Sequence, residues 1–447
     1  MKLLDIFDYI LLPVYLALFI YVIVLIRRKY YSNSLLGKSL LAGFIAKILG
    51  SILFALFFQY YYNGGDSYIY YTGGLDFKET ILTNFPKNIH FLFSSANDFG
   101  DYYIQTYDKK ENFGYLSAPS NLMAAKFVAF FALFCFNKYL IISLCFGVFS
   151  FSGMWVTFKI FFDHFPSLRK HFSIAFLYLP SLLFWGSGIG KDPLCIGFLG
   201  WLFYSGYKIF IKGELKLLLL LVFILSMYFL AVLKIYIPLV FISFFLLWIV
   251  LKRLNKIQNR IIRILIPGCI IVAIIILLNT TFVSEYINNL FDNFTQYIGD
   301  TKSLYEQLTS NEGSLINVGD FDLTPLGVLK KIPSSLATTL YRPYLWESKK
   351  LITFLSALES SYILLYTLYA LFKTRIYGFF IVLFQNSILL FSFFFSIVFA
   401  IFIGLTCFNF GTLVRYKIPC IPFYLSSLMI IIYLFSIRQN KKKISIK

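Results

Sequence analysis

Residues 216–233 read KLLLLLVFILSMYFLAVL, and residues 235–251 read IYIPLVFISFFLLWIVL, so a single lysine separates two apolar runs. An apolar run of about 18 residues is long enough to cross a bilayer as a helix. Similar runs occupy 10–26, 40–60, 140–161, 173–189, 194–211, 264–280, 352–372, 377–404 and 418–436. The sequence therefore predicts an all-α polytopic membrane protein, a single transmembrane domain over 1–447 with about 11–12 transmembrane helices.

The distribution of charge along the chain decides between two explanations of its positive net charge. The 447 residues are 59% hydrophobic and 14% charged, whereas soluble domains are about a quarter charged. A net charge of +19 is compatible with nucleic-acid binding, but the basic residues cluster in short linkers between apolar runs. Lys and Arg in such linkers set the orientation of membrane helices and mark the cytoplasmic side. We therefore expect no nucleic-acid partner.

The acidic residues concentrate in two long segments between apolar runs. Residues 61–119 hold seven of the 21 acids, and residues 279–350 hold eight. The basic linkers place these segments on the face opposite the cytoplasm. The sequence therefore predicts a first outer loop with interfacial helices over 61–119 and a second large outer loop over 281–350.

One further apolar segment, 120–136, conflicts with the charge rule if it crosses the membrane. A crossing there and another over 140–161 would place Arg169 and Lys170 outside. We expect 120–136 to be re-entrant or interfacial, which requires packing against protein or a water-filled cavity. The alternative is twelve crossings, with the loop that contains Asp66 inside.

The first polar motif, NGGDSYIYY over Asn63–Tyr71, follows directly after the 40–60 run. A carboxylate at the membrane surface, here Asp66, can deprotonate a sugar hydroxyl as a general base. It can also hold a divalent cation, although the chain has no set of residues with metal-ligand spacing. The alternative is a helix-capping turn with Asp66 as the N-cap.

The second motif, PSLLFWGSGIGKDP over Pro180–Pro193, ends an apolar run in a Gly/Ser turn and opens the next run with Lys191 and Asp192. Helix N-termini bind phosphate oxygens, and Lys191 adds a mobile positive charge. Charged residues at the membrane boundary are costly unless they have a function. The alternative is a tight turn between helices with a local ion pair.

The third motif, YRPYLWE over Tyr341–Glu347, precedes Glu359, which lies inside the apolar run 352–372. Arg342 offers a planar fork for phosphate or carboxylate, and an ionisable residue within a span is a functional candidate. The alternative is an interfacial anchor in which Arg342 pairs with Glu347.

The fourth motif, NFGTLVRYK over Asn409–Lys417, is a short segment of the outer face before the last run. Positive charge on that face opposes the orientation rule, so Arg415 and Lys417 need a partner. A pyrophosphate is one such partner, and an acid of the large loops is the other.

Together these motifs predict an outer-face site for a lipid-linked sugar phosphate. Asp66 is the predicted catalytic residue, and the predicted substrate- or phosphate-binding residues are Lys191, Asp192, Arg342, Glu347, Glu359, Arg415 and Lys417. The cations would stabilise negative charge on the leaving lipid phosphate. No residue is assigned to a metal and no cofactor is assigned, but a divalent cation is compatible with Asp66. Neither a P-loop nor a Rossmann fingerprint is present, which favours a lipid-linked donor over a nucleotide sugar.

At PSLLFWGSGIGKD, YRPYLWE and NFGTLVRYKIP the chain resembles integral-membrane proteins of bacterial polysaccharide gene clusters. GGDSYIYY after an early span resembles the first outer-loop acidic motif of GT-C glycosyltransferases, with Asp66 alone on the catalytic position. In layout the chain is also similar to Wzy-type O-antigen polymerases, which use outer-loop arginines to join lipid-pyrophosphate-linked oligosaccharides. The resemblance implies a bacterial inner-membrane enzyme of cell-envelope polysaccharide biosynthesis, with a polyprenyl-phosphate-linked glycan and membrane lipid as partners.

Three functions stay open at this point. The first is a membrane-embedded glycosyltransferase that uses a polyprenyl-phosphate-linked sugar or oligosaccharide on the periplasmic face. The second is a Wzy-type polymerase of oligosaccharide repeat units. The third, of another class, is a transporter or flippase of a lipid-linked glycan, which predicts broken helices at the midplane.

Overall fold

The computed structural model describes residues 3–32, 34–62, 64–107, 114–254, 296, 298–299, 324–348 and 351–445. Regular secondary structure in these ranges is helical. Contacts between Cα atoms divide the chain into unit 1, residues 1–239, and unit 2, residues 240–447. The predicted run 264–280 and most of the predicted loop 281–350 lie outside the described residues.

The helices of unit 1 follow the apolar runs and fill the first predicted loop. They are α1 (Ile6–Tyr30), α2 (Leu35–Phe57), α3 (Asp66–Thr83), α4 (Phe85–Asn88), α5 (Ala96–Tyr107), α6 (Pro119–Ala132), α7 (Tyr139–His164), α8 (Arg169–Ser173), α9 (Pro180–Phe184), α10 (Lys191–Gly206) and α11 (Leu217–Lys234). Helix α12 (Tyr236–Leu254) contains the boundary between the units. Turns of π-helix extend α2 to Tyr62 and α10 to Ile211, and a third joins α8 to α9 over Ile174–Tyr178.

The helices of unit 2 are α13 (Pro325–Tyr341), α14 (Leu351–Gln385), α15 (Ser387–Thr406), α16 (Phe410–Tyr416) and α17 (Ile421–Ser445). Helix α13 lies within the sequence of the second predicted loop, and it packs antiparallel along α15. A Cβ atom at Gly404 would lie 2.1 Å from the carbonyl oxygen of Ser335, and the Thr339 hydroxyl donates to the carbonyl of Ala400 at 2.7 Å.

Nine helices in the described part of the chain are long and apolar enough to cross a membrane. They are Ile6–Tyr30, Leu35–Tyr62, Tyr139–His164, Lys191–Ile211, Leu217–Lys234, Tyr236–Leu254, Thr353–Gln385, Ser387–Thr406 and Ile421–Asn440. Helices of this length and composition are typical of a multi-pass membrane protein. The predicted all-α polytopic class is therefore confirmed at this level.

The predicted boundary between 352–372 and 377–404 agrees with the structure. Backbone at Arg375 is non-helical, with φ 54° and ψ 157°, so two helices meet at a kink inside α14, where Lys373 and Arg375 predicted a linker. The prediction of one helix over 377–404 is wrong, because α14 ends at Gln385. The side chain of Asn386 caps the next helix by accepting from the backbone N–H of Ile388 at 3.1 Å.

The prediction of one continuous helix over 173–189 is also wrong. Leu179 is extended, with φ −62° and ψ 129°, because the ring of Pro180 disfavours helical backbone in the residue before it. The broken segment nevertheless follows α2 in the same direction. Arg169 donates to Ser39 at 2.7 Å near the start of α2, and the Ser51 hydroxyl donates to the carbonyl of Ser187 at 3.0 Å further along.

Helices α7 and α10 run parallel at close range in unit 1. A Cβ atom at Gly153 would lie 2.3 Å from the carbonyl oxygen of Gly197, and one at Gly200 would lie 2.1 Å from the carbonyl oxygen of Gly153. Small residues allow this approach of membrane helices. We call the end where these helices begin, at Tyr139 and Lys191, the Lys191 end. The opposite end, where α1 finishes at Tyr30, is the Arg27 end.

The chain segments before and after helix α6 both lie at the Lys191 end of unit 1. Its 14 residues span about 21 Å, less than the hydrocarbon core of about 30 Å. At its start, Asn121 binds Lys191. After its end, Lys138 forms an ion pair of 2.5 Å with Asp5, which caps the start of α1. The re-entrant or interfacial position of 120–136 in a membrane stays a prediction.

The first predicted loop contains a small apolar core of its own, formed by α3, α5 and α6. Its largest members include Phe77, Phe91, Phe99 and Tyr103. The Tyr103 hydroxyl donates to the buried carboxylate of Asp76 at 2.8 Å, so the polar atoms inside this core are paired. The core fixes α3, and therefore its first residue, Asp66, against the rest of unit 1.

Candidate functional site

Asp66 is the first residue of α3 in unit 1. Gly64 and Gly65 before it have φ angles of 142° and 79°, a backbone conformation that favours glycine. Gly65 occupies the N-cap position of α3, and no side-chain hydrogen bond caps the helix there. The alternative in which Asp66 is the N-cap is therefore wrong by one residue. A carboxylate in the first turn interacts favourably with the positive end of the helix dipole. Asn63 lies outside the described residues.

Lys191 is held by a hydrogen-bond network at the same end of unit 1. Its ammonium donates to Asn121 Oδ1 at 2.8 Å and to the Ser120 hydroxyl at 3.2 Å. The Tyr70 hydroxyl donates to the same Asn121 oxygen at 3.1 Å. Tyr70 is four residues after Asp66 in α3, so the two side chains share a helix face. The carboxylate and the ammonium therefore lie at one end of unit 1.

Asp192 forms a buried ion pair with a lysine of the neighbouring helix. Its carboxylate accepts from the ammonium of Lys234 at 2.6 Å, and both side chains are buried, with 5% and 6% exposure. The pair joins the start of α10 to the end of α11. Asp192 therefore contributes to a bond between helices, beyond the local turn that the sequence suggested.

The Gly/Ser turn before Lys191 is buried against α2. A Cβ atom at Gly188 would lie 1.8 Å from Phe54, so close packing explains this glycine. The fully buried ammonium of Lys47 donates to the carbonyl of Leu182 at 2.8 Å. A cation is favourable beside the carbonyls at the end of a helix, here α9. Contacts with α2 therefore fix the turn that precedes Lys191.

The YRPYLWE and NFGTLVRYK motifs meet in unit 2. The Arg342 guanidinium makes an ion pair of 2.5 Å with Glu347, with further hydrogen bonds from Nε at 3.0 and 3.1 Å. Its centre lies 5.2 Å from the ring centroid of Phe410, at the start of α16. The Arg342–Glu347 pairing that was the alternative for this motif is therefore present.

Lys417 is enclosed between the two motifs and is 1% exposed. Its ammonium donates to the Arg342 carbonyl at 2.9 Å and to the Ser360 hydroxyl at 2.8 Å. Burial lowers the pKa of Lys417 to about 8, and the nearby Glu359 acts in the opposite direction. Glu359 is itself 5% exposed. Lys417 thus fixes the backbone of Arg342, while Arg415 is half-buried in α16.

Replacing Lys417 by methionine is expected to remove a pH dependence of stability. The folded-state pKa of about 8 lies below the unfolded value of about 10.5. Between these values the unfolded state binds more protons, so stability rises with pH by at most about 1.4 kcal/mol per pH unit. Thermal unfolding of the detergent-solubilised chain from pH 7.5 to 10 measures this rise. Lys330→Met, an exposed lysine of α13, is the control and should retain it; equal slopes in both variants would contradict the assignment.

The candidate site residues in the described part of the chain fall into two groups. Unit 1 brings together Asp66, Lys191 and Asp192, and unit 2 brings together Arg342, Glu347, Glu359, Arg415 and Lys417. The convergence of both groups on one outer-face cavity stays a prediction. In the described ranges no group of three or more His, Cys, Asp or Glu side chains is placed to hold a metal ion.

Sequence reasoning missed four polar residues of these networks: Lys47, Asn121, Lys234 and Ser360. For two of them a signal was present. Lys47 lies inside the 40–60 run, and Lys234 is the single residue between two runs. An ionisable residue in such a place is a functional candidate by default. Asn121 and Ser360 carry no comparable signal, because polar uncharged residues are common in membrane helices.

Comparisons of the chain with protein-family profiles, curated proteins and solved structures gave no match. The likeness to GT-C glycosyltransferases and Wzy-type polymerases therefore stays a prediction from the motifs.

Proposed function

We propose that this protein is a membrane-embedded glycosyltransferase that uses a polyprenyl-phosphate-linked sugar or oligosaccharide donor. The observation that carries the proposal is the position of Asp66 and Lys191 at one end of unit 1. Two hydrogen bonds and one helical turn connect them, through Asn121 and Tyr70. A base and a cation in this arrangement suit a reaction in which a hydroxyl loses a proton and a phosphate leaves.

Each group has one role in the proposed reaction. The acceptor hydroxyl oxygen forms a bond to the anomeric carbon while the bond from that carbon to the phosphate oxygen breaks. The hydroxyl proton passes to the carboxylate of Asp66, and the lipid phosphate leaves with the bonding electron pair. Lys191, oriented by Asn121 and Ser120, stabilises the negative charge that develops on the phosphate.

The residues of unit 2 support the same chemistry. Arg342 is held by Glu347 and by Lys417 at its carbonyl, so its orientation is fixed before a ligand binds. Arg342 and Arg415 are the phosphate-binding residues that we propose for unit 2. The predicted direct phosphate contact of Lys417 becomes a positioning role, because its side chain is enclosed. In a bacterium the reaction would occur on the periplasmic face of the inner membrane and serve cell-surface polysaccharide assembly.

One observation favours the transporter alternative. The segment from α8 to α9 is broken at Leu179, and broken helices at mid-membrane are a feature of secondary transporters. A transporter moves the lipid-linked glycan without breaking the bond between sugar and phosphate. Bond cleavage therefore separates the two functions.

The test uses the full chain in nanodiscs with a panel of polyprenyl-phosphate-linked and polyprenyl-pyrophosphate-linked sugars as donors and a panel of oligosaccharides with free hydroxyl groups as acceptors. We expect release of the free polyprenyl phosphate or pyrophosphate, measured by mass spectrometry. Release should fall about 100-fold in Lys191→Met, because one preorganised donor to the leaving group is lost. Lys170→Met, an exposed lysine at the Arg27 end of unit 1, is the control and should retain the rate.

Two outcomes would contradict the proposal. If the folded wild-type chain releases no polyprenyl phosphate or pyrophosphate from any donor, the proposed transferase reaction is contradicted. Movement of a labelled donor between the leaflets of liposomes without bond cleavage would assign the chain to the transporter class.

A further inference from the structure

A groove opens on unit 1 between membrane-spanning helices, in the half nearer the Arg27 end. It has a volume of about 240 Å³ and is lined mainly by apolar side chains of α1, α2 and α7, among them Ile23, Ile26, Phe44, Phe151 and Trp155. Trp201 of α10 also lines the groove, and its indole N–H donates to the Ser152 hydroxyl at 2.9 Å. The lining therefore offers contact to a hydrocarbon chain and no free donor.

Two cations from different helices lie at the end of this groove. Arg27 is four residues after Ile23 in α1, and Lys159 is four residues after Trp155 in α7, so each shares a helix face with a groove residue. The Arg27 side chain lies over Gly37 of α2, where a Cβ atom would be 3.2 Å from Arg27 Cγ. Both cations therefore border the mouth of the groove.

Tyr31 lies between the two cations and completes the mouth. The Lys159 ammonium is 5.7 Å from the centroid of the Tyr31 ring. The Tyr31 hydroxyl accepts from the indole N–H of Trp155 at 3.2 Å, which fixes it beside the groove. Within the described ranges neither Arg27 nor Lys159 forms a salt bridge. Lys159 has none even with Asp163, the acidic residue one helical turn after it.

We propose that this groove binds one acyl chain of an anionic phospholipid, whose phosphate contacts Arg27 and Lys159 at the mouth. The charge at the mouth complements a phosphate, and the apolar lining complements the chain. From Phe19 to Ile26 the groove follows α1 for about 10 Å, a length that suits part of one acyl chain. The site is at the Arg27 end, whereas the proposed sugar-transfer site is at the Lys191 end, so the two sites are distinct.

Quenching of tryptophan fluorescence by brominated acyl chains tests the proposal, because Trp155 and Trp201 line the groove. The full chain carries Trp185→Phe, Trp248→Phe and Trp346→Phe, so that only the groove tryptophans report. It is placed in phosphatidylcholine nanodiscs with brominated phosphatidylglycerol or brominated phosphatidylcholine. We expect phosphatidylglycerol to quench at a mole fraction about tenfold lower, because two cations each favour the anionic head group.

Variants at the mouth separate this site from general surface charge. The double variant Arg27→Gln with Lys159→Gln should lose the preference for phosphatidylglycerol. The control Arg28→Gln removes one charge from an exposed side chain that neighbours Arg27 in sequence, and this variant should keep the preference. Native mass spectrometry of the chain with all five tryptophans gives a second measurement, in which retained phosphatidylglycerol should be lost in the double variant.

Three results would overturn the proposal. Equal quenching by both brominated lipids would show that the groove has no anionic preference. An equal loss of preference in Arg28→Gln and in the double variant would assign the effect to bulk surface charge. Displacement of brominated phosphatidylglycerol by an equimolar amount of polyprenyl phosphate would assign the groove to the sugar-donor lipid.

Discussion

Replacing Asp192 by asparagine is expected to destabilise the chain by about 3–5 kcal/mol, the usual cost of breaking a buried ion pair by removing one partner. Its carboxylate lies 2.6 Å from the ammonium of Lys234, and each side chain is less than a tenth exposed. The neutral amide would leave Lys234 charged and buried at the end of α11. The measurement is the apparent melting temperature of the purified chain in nanodiscs, with the yield of monodisperse protein as a second readout.

Two further variants separate the pair from a general effect of charge. Glu214→Gln breaks the exposed bridge between Glu214 and Lys208, which has the same chemistry at 2.7 Å, and it should leave the melting temperature almost unchanged. The combination of Asp192→Leu with Lys234→Met removes both charges and should recover most of the stability. A wild-type melting temperature for Asp192→Asn would mean that this pair contributes nothing to stability.

Replacing Asp66 by asparagine is expected to reduce sugar transfer by about 100-fold to 10,000-fold, the range for loss of a general base. The amide has nearly the same shape but does not accept a proton from the acceptor hydroxyl. The initial rate of polyprenyl phosphate release, measured at saturating donor, reports the loss in kcat. Because Asp66 is at the start of α3 and outside its apolar core, the melting temperature should change little.

The controls for Asp66 come from the same helix. Glu79→Gln removes an exposed carboxylate of α3 and should retain the wild-type rate. Asp66→Glu keeps the basic group but displaces it by one methylene, so partial activity is expected. If the Asp66→Asn variant releases lipid phosphate at the wild-type rate, the assignment of Asp66 as the general base is contradicted.

The sequence predicted those features of the fold that depend on neighbouring residues. Apolar runs such as 216–233 predicted helix α11 almost to the residue, because hydrocarbon requires every backbone group to be bonded within its own segment. The pairing of Arg342 with Glu347, five residues apart, was the alternative that the YRPYLWE motif left open, and it is present. The break at Leu179 was predictable in principle, because Pro180 is part of the sequence motif and disfavours helical backbone in the residue before it.

The features that escaped prediction depend on pairing between distant parts of the chain. Lys234 and Asp192 are 42 residues apart, and Lys191 and Asn121 are 70 residues apart. The sequence alone does not identify the partner of Asp192 or of Lys191, because it contains several lysines and arginines for the first and several amide side chains for the second. Helix α13 was missed for another reason: it is amphipathic and contains Pro333, so it lacks the continuous apolar run of a span.

The glycine contact between α7 and α10 has a mechanical consequence for unit 1. At Gly153, Gly197 and Gly200 the two backbones touch with no side chain between them, so neither helix has room to slide or tilt by repacking a rotamer. The two helices are therefore expected to move as one body, with Lys191 at one end and the edge-to-face contact between the rings of His164 and Tyr207 at the other. A displacement of the start of α10 would carry α7 with it and would reach the opposite end of unit 1.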